Sequence, residues 1–278
     1  MSRLMAHRSS RPNTEHLSRR RLLAWIPGAT VAALLPTVSW ASADQPLRTL
    51  ELGVLRIGTY FVNPPFEFIS GQDRIGYEVD LTTKIARRLA LRPVFVDTQW
   101  EVILGEMQRN LYDCIVGGIT ITPERQKVLA WSVPYLTTTL SLVVNALRSP
   151  AAMALADLKD ATVGVQAATT DYDAAVAMQR AGQIGSVKVY AFAQIAEAMK
   201  DLAADRIGAV MKVYPVAAWL ARQTPGLRIL GQVPDDPQPL GIGFNQDHPG
   251  LVAAVNGALA EMQRDGTYKA LADRWGVA

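Results

Sequence analysis

The chain has 278 residues, of which 49% are hydrophobic and 19% charged, so it is long enough to bury one or two globular cores. Its formal net charge of +3 comes from residues 1–43, which carry six arginines and one glutamate and leave 22 basic and 24 acidic side chains in residues 44–278. A nucleic-acid-binding protein needs a basic surface that neutralises phosphates, and we therefore expect no nucleic-acid partner.

The first 43 residues are typical of a cleavable export signal. Three consecutive arginines at 19–21 precede an uncharged, largely apolar stretch over 22–40, and Ala41-Ser42-Ala43 then offers the small side chains that a signal peptidase accepts. Prolines and a glycine interrupt the apolar stretch, which favours removal over a role as a membrane anchor. We predict cleavage after Ala43 and delivery to the periplasm.

The run Ser18-Arg19-Arg20-Arg21-Leu22-Leu23 resembles the twin-arginine export motif, and the general secretory route is the alternative.

Residues 44–278 alternate short β-rich runs with segments of helical spacing, which predicts an α/β fold. The first block has the order βαβαβ, at 54–59, 79–89, 94–96, 102–111 and 114–116. This order is typical of a parallel sheet whose ligands collect beyond the carboxyl ends of its strands. The pattern then repeats, with strands at 141–144, 162–165, 187–190 and 209–211, helices at 171–181, 195–204 and 215–222, a linker at 233–239, a strand at 240–244 and a helix at 252–264. Two lobes with a cleft between them are expected.

A motif at the start of the first predicted helix carries a family resemblance. Gly76-Tyr77-Glu78-Val79-Asp80-Leu81 resembles the signature of bacterial extracellular solute-binding protein family 3, the polar amino-acid-binding type. We expect Glu78 and Asp80 to cap this helix and to favour solubility, since acids are stabilised in the first turn.

The resemblance implies a two-lobed periplasmic-binding-protein clamp of type II. Each lobe would be a mostly parallel sheet flanked by helices, and two hinge crossovers would join the lobes. Lobe one would comprise residues 44–138 and 240–278, and lobe two residues 139–239.

A second motif supplies a candidate anion-binding arginine. Gly118-Ile119-Thr120-Ile121-Thr122-Pro123-Glu124-Arg125 resembles the family's stretch whose arginine clamps a ligand carboxylate. A guanidinium presents a planar fork of donors that matches two carboxylate oxygens. We expect Arg125 to bind the carboxylate, with Gly118 and Thr120 adding further hydrogen bonds.

A third motif lies in the second predicted block. Val163-Gly164-Val165-Gln166-Ala167-Ala168-Thr169-Thr170 is similar to the family's second-lobe loop, which gives amides at a helix start to the same carboxylate. Thr169 and Thr170 are therefore candidate ligand-binding residues, and capping of the following helix is the alternative. Ala168 stands where the family usually has glycine.

One departure from the family pattern concerns the ligand's amino group. Family members that bind amino acids usually carry an aspartate in the position that Val213 occupies here, where it pairs with the α-ammonium. A buried ammonium without a counter-charge is costly. The sequence therefore implies either a substitute acid or a ligand that is not an ordinary α-amino acid. Lys212 together with Arg125 would suit a dicarboxylate or an anion without ammonium, unless Lys212 points to solvent.

Aromatic and amide side chains of the first block complete the candidate site. Tyr60, Asn63 and Trp100 are expected to line the cleft as stacking and polar contacts, and Phe66 is expected in the core.

The function that this sequence predicts is a periplasmic solute-binding protein of an ABC-type importer. It would capture a small carboxylate-bearing solute, an amino acid or a related organic acid, by closure of its lobes. Its partners would be that ligand and a membrane permease, and we expect a monomer without metal or cofactor. An enzyme is disfavoured because His248 is the only histidine after residue 43. The alternatives are a cyclohexadienyl or arogenate dehydratase-like enzyme on the same fold, or an accessory protein of a periplasmic dehydrogenase.

Overall fold

The computed structural model describes residues 47–148 and 151–277. The predicted signal segment and its cleavage site after Ala43 lie outside these residues. In chain order the elements of the described part are β1 (Val54–Thr59), β2 (Val62–Asn63), β3 (Glu67–Ser70), β4 (Asp73–Ile75), α1 (Tyr77–Arg88), β5 (Arg92–Asp97), α2 (Trp100–Gln108), β6 (Cys114–Ile115), α3 (Pro123–Gln126), β7 (Ala130–Trp131), β8 (Leu136–Asn145), β9 (Thr162–Gln166), α4 (Thr170–Arg180), β10 (Ser186–Tyr190), α5 (Ile195–Ala203), β11 (Ala209–Val213), α6 (Tyr214–Gln223), β12 (Leu227–Leu240), β13 (Gly243–Phe244), α7 (Pro249–Arg264) and α8 (Thr267–Trp275), together with the 3₁₀ helices Leu155–Leu158 and Phe192–Gln194.

Two five-stranded sheets organise the molecule, and we call the parts built around them lobe one and lobe two. The sheet of lobe one has the order β5-β1-β6-β13-β7, and that of lobe two has the order β10-β9-β11-β8-β12. In each sheet the first two pairings are parallel and the last two antiparallel. The α/β prediction is thereby confirmed, and the antiparallel pairings arise from strands by which the chain crosses between lobes or returns. A further small sheet, β2-β3-β4, was not predicted.

The two crossover strands are hydrogen-bonded to each other. β8 and β12 pair antiparallel from Leu227 opposite Asn145 to Leu240 opposite Leu136. The predicted linker over 233–239 is therefore wrong, because that stretch belongs to β12. Strand β12 lies at the edge of its sheet, where a proline without an N–H is tolerated, and an irregular register between Gln232 and Pro237 accommodates the extra residues. The predicted lobe boundaries, after 138 and after 239, fall within these two strands and stay predictions.

The signature motif builds the start of α1. Gly76 has φ 143°, and a Cβ there would lie 2.1 Å from the carbonyl oxygen of Phe66, so only glycine fits this turn. Phe66 is fully buried in the core, as expected. The position of this turn brings Glu78 beneath the loop that follows β6.

No helix within residues 47–148 and 151–277 combines the length and the apolar composition needed to span a membrane.

Candidate functional site

A narrow cavity of about 30 Å³ lies between the two lobes. All nine residues that the sequence predicted as ligand-binding line it: Tyr60, Asn63, Trp100, Gly118, Thr120 and Arg125 from lobe one, and Thr169, Thr170 and Lys212 from lobe two. The structure therefore brings together residues that are up to 152 positions apart in the chain, from Tyr60 to Lys212. Four lining residues were not predicted as ligand contacts: Gly117, Asp171, Phe192 and Val213.

Arg125 contributes a partly buried cation to this cavity. The short helix α3 positions it, with Thr122 as the N-cap that accepts a hydrogen bond from the Arg125 amide. One guanidinium nitrogen donates to the carbonyl of Thr120 at 2.8 Å, and the guanidinium carbon lies 5.0 Å from the centroid of the Trp100 ring. Among the described residues no carboxylate oxygen lies within 4.0 Å of it. Burial lowers the pKa of Arg125, and the charges of Tyr60, Asp173 and Asp171 oppose this shift.

All three predicted threonines line the cavity, and Thr169 also caps a helix. The Thr169 hydroxyl accepts from the Tyr172 amide at 3.3 Å and donates to the Gln166 carbonyl at 2.8 Å, so it caps α4. Thr170 Oγ1 lies 3.5 Å from Thr120 Oγ1 across the cleft. The Thr120 hydroxyl also donates to Gln238 Oε1 at 3.0 Å. The first turn of α4 and the loop before Arg125 therefore face each other over the cavity.

Ala168 is held in a backbone conformation that favours glycine. Its φ is 59°, in the left-handed region, and its side chain is exposed. We expect Ala168→Gly to stabilise the fold by about 1 kcal/mol, because the strain on an L-residue is relieved and little packing is lost. Urea unfolding would measure this. The neighbouring Ala167→Gly should instead destabilise the fold by about 0.5–1 kcal/mol, and equal effects of the two changes would contradict the strain argument.

Lys212 does not point to solvent, so that interpretation is wrong. Its side chain is 5% exposed and its Nζ lies 2.8 Å from Oδ2 of Asp171, which is 2% exposed. Lys212 comes from β11 and Asp171 from the first turn of α4. Sequence reasoning missed Asp171, because an acid in the first turn of a helix is explained by the helix dipole alone. The one sequence signal that pointed toward it was Lys212 itself, 41 residues later, which lies in an apolar strand and needs a counter-charge if it is buried.

Three aromatic rings form one wall of the cavity. Phe192 comes from lobe two and lies 4.7 Å from Tyr60 and 5.4 Å from Trp100, measured between ring centroids. Two hydrogen bonds tie the lobes at this wall: Trp100 Nε1 donates to the carbonyl of Ala167 at 3.2 Å, and the Phe192 amide donates to Glu101 Oε1 at 3.3 Å. The lobes are therefore in direct contact here.

Two buried carboxyl groups lie behind the cavity wall. Glu78 is fully buried and accepts hydrogen bonds from the Gly118 amide, at 2.9 Å, and from the Tyr135 hydroxyl. The expectation that Glu78 favours solubility is wrong, because the fold turns the start of α1 inward. The Gly118 amide is thereby already bonded within the protein. Glu67 is also fully buried and lies beside Glu78 and Asn63. Burial, followed by the nearby Glu78 carboxylate, raises the pKa of Glu67 well above its usual range.

Asp80, the other acid of the motif, is partly exposed. It accepts a hydrogen bond from Trp275 Nε1 at 2.9 Å and lies 3.1 Å from Arg274, so it ties α1 to α8.

Tyr60 and Asn63 both donate to the Gly117 carbonyl, Asn63 at 3.3 Å. Within the described part of the chain no group of three or more histidine, cysteine, aspartate or glutamate residues could hold a metal ion.

Comparisons with known proteins agree with this architecture. The L-cystine-binding protein TcyJ of Escherichia coli K12 is 28% identical over 262 residues, which cover 94% of this chain and 96% of that protein. The ABC transporter arginine-binding protein 1 of the same organism is 28% identical over 251 residues, covering 88% of this chain and 97% of that protein. The crystal structure of the ancestral amino acid-binding protein AncCDT-1, a precursor of cyclohexadienyl dehydratase, matches with a TM-score of 0.71 and 30% identity over 80% of this chain and 95% of that chain.

The model of one family matches nearly all of the described chain. Residues 55–278 match the bacterial extracellular solute-binding proteins, family 3. The match includes the signature at α1, the arginine loop and the start of α4. The chain therefore belongs to the bacterial extracellular solute-binding proteins, family 3.

Proposed function

We propose that this chain is the periplasmic solute-binding protein of an ABC importer and that it captures a small carboxylate-bearing solute between its lobes. The observation that carries the proposal is Arg125, a partly buried cation in the interlobe cavity without a carboxylate partner among the described residues. The relatives named for binding cystine and arginine support a solute-binding role of this kind. Export by the segment that ends at Ala43, delivery to a membrane permease and a monomeric state belong to the same proposal.

The mechanism follows from where the two lobes meet. Lobe one offers Arg125 and the Thr120 loop to the carboxylate, and Tyr60, Asn63 and Trp100 surround the rest of the ligand. Lobe two then closes over it with the start of α4, where unpaired amides and the helix dipole suit an anion. Closure is favoured because the ligand contacts both lobes at once, and a permease would recognise the closed form.

Arg125→Ala tests the proposal. Residues 44–278 would be screened by thermal shift against amino acids, dicarboxylates, 2-oxo acids and prephenate. A ligand present at about 100 times its dissociation constant adds about 2.7 kcal/mol of stability, and Arg125→Ala should abolish this gain because the carboxylate loses its counter-charge. Arg180→Ala, at an exposed position in α4, is the matched control and should keep the shift. A ligand that stabilises the Arg125→Ala protein as well as the wild type would contradict the carboxylate clamp.

A dehydratase-like enzyme is the alternative function, because the similar protein AncCDT-1 is named as a precursor of cyclohexadienyl dehydratase. An elimination reaction needs a general acid beside the ligand. Among the described residues Asp171 is the one carboxyl group that lines the cavity, and it is held in an ion pair with Lys212. This pairing favours binding over catalysis. Release of phenylpyruvate or phenylalanine from prephenate or arogenate, measured by absorbance, would contradict the binding role.

A further inference from the structure

The charged groups that line the cavity leave one positive charge in excess. Arg125, Lys212 and Asp171 are the charged residues of the lining. Lys212 and Asp171 neutralise each other at 2.8 Å, whereas Arg125 has no carboxylate within 4.0 Å among residues 47–148 and 151–277. Asp173 and Asp171 act on Arg125 only from beyond 4.0 Å, so Arg125 still lacks a directly paired counter-charge. A ligand with a net charge of −1 supplies that counter-charge without adding a cation, whereas a zwitterion adds an ammonium group.

We infer that the cavity takes a small monocarboxylate without an ammonium group, such as a 2-oxo or 2-hydroxy acid, and not an α-amino acid. This inference rests on the proposed function and names the class of solute for the same site. It departs from the relatives, which are named for amino acids.

The backbone carbonyls and the carboxylate that could receive an ammonium group at this cavity already have partners. The Gly117 carbonyl accepts from Tyr60 and Asn63, and the Thr120 carbonyl accepts from Arg125. The Asp171 carboxylate pairs with Lys212, and Val213 presents an apolar side chain beside them. An ammonium group buried among these residues would keep its desolvation cost without a counter-charge.

An acidic amino acid would match the net charge, but it requires a different arrangement. Its ammonium would have to take Asp171 from Lys212, and its second carboxylate would have to replace Asp171 beside Lys212. Both members of this pair are almost fully buried, and separating a buried ion pair is strongly unfavourable. Glu67 and Glu78 offer no substitute, since they lie outside the lining residues.

The aromatic wall restricts the size of the ligand. The ring of Phe192 packs against both Tyr60 and Trp100, whose centroids are 5.9 Å apart. Rings at these separations are in mutual contact, so a further aromatic group cannot stack between them without displacing Phe192. The wall therefore disfavours aromatic acids and favours short aliphatic ones.

The test compares ligands that differ only in the ammonium group. Calorimetry with residues 44–278 would measure pyruvate against L-alanine and 2-oxobutanoate against L-2-aminobutanoate, with L-glutamate as the acidic amino acid. We expect each oxo acid to bind at least about tenfold more tightly than its amino counterpart, a factor that corresponds to about 1.4 kcal/mol. Equal or tighter binding of the amino acids, or of L-glutamate, would overturn the inference and leave the proposed function in place. Absence of binding by every carboxylate in the wider screen would overturn both.

Val213→Asp provides a second, independent readout. The new carboxylate removes the excess positive charge and offers a partner to an ammonium group, so the preference should reverse in favour of the amino acid. Val213→Asn, of the same size and without charge, is the matched control and should not reverse it. A preference that is the same in both variants would overturn the charge argument. The wild-type comparison keeps the inference falsifiable if Val213→Asp does not fold.

Discussion

Replacing Lys212 by methionine should destabilise the protein by about 3–5 kcal/mol, because Asp171 would then be a buried charge without a partner. The pair is buried on both sides, with 5% and 2% of the side chains exposed. Asp171→Asn should have an effect of similar size, since it leaves the Lys212 ammonium unpaired. Urea unfolding of residues 44–278 measures both.

The double variant separates two contributions to the free energy of unfolding: the cost of a buried charge without a partner, and the net stabilisation by the ion pair. Asp171→Asn with Lys212→Met removes both charges, and we expect it to recover most of the stability that either single change loses. The exposed pair Lys269–Asp273 serves as the control, and Lys269→Met should cost no more than about 0.5 kcal/mol. If Lys212→Met cost as little as Lys269→Met, the pair would not be buried in solution, and the charge balance of the cavity would have to be revised.

Raising the pH from about 5 to about 8 should weaken the fold through Glu67, by as much as about 1.4 kcal/mol per pH unit while the folded protein keeps this carboxyl protonated. Burial and the Glu78 carboxylate raise the folded-state pKa of Glu67 above its unfolded value. The folded state therefore binds more protons than the unfolded state in this window. The stabilisation is fully present below the unfolded pKa and is lost as the pH rises towards the folded pKa.

Glu67→Gln removes this dependence, because the amide is neutral at every pH and close in size to the protonated acid. The variant should be more stable than the wild type near pH 8, and the difference should shrink towards pH 5. Burial also raises the pKa values of Asp113 and Asp236, so these groups also lower the stability of the fold as the pH rises at the acidic end of the range. Their contributions are the same in the wild type and in Glu67→Gln, and they cancel when the two proteins are compared. Asp265, with its pKa lowered to about 2 by hydrogen bonds from Thr267 and then from Arg88, acts only at lower pH. Glu197→Gln, on the exposed face of α5, should leave the pH profile unchanged, and an unchanged profile for Glu67→Gln would contradict the assignment.

Most elements of the fold could be predicted from the sequence because their apolar spacing is local. The strand expected at 54–59 is β1 without a shift, and the helix expected at 195–204 differs from α5 by a single residue. The predicted linker over 233–239 failed because proline and aspartate content indicates a break only if no neighbouring strand is available. Here β8 is available, and its partner lies at a sheet edge.

The candidate site could be predicted where it depended on a local motif and could not where it depended on contacts across the fold. Arg125, Thr120 and Thr170 lie in continuous motifs, and the structure places all three at the cavity. Asp171 and Phe192 depend on contacts with distant segments: Asp171 pairs with Lys212, and Phe192 packs against Trp100. The spacing of residues within either segment does not predict such a contact. The buried state of Glu78 has the same origin, since its partner Gly118 is 40 residues away.

The pairing of β8 with β12 also determines how the lobes can move. Two separate connecting strands would let the lobes swing, slide and twist, but a hydrogen-bonded ribbon resists every motion that shears its ladder and bends mainly across its flat face. The two-stranded ribbon therefore moves mainly by bending, and a single bending angle would describe most of the movement between the lobes. Pro237 and Pro239 have no N–H to give to the ladder, and its register is interrupted between Gln232 and Pro237, so the ladder has fewest hydrogen bonds there. In the proposed closure, ligand affinity would therefore depend partly on the bending stiffness of this stretch of β12, which lies outside the cavity lining.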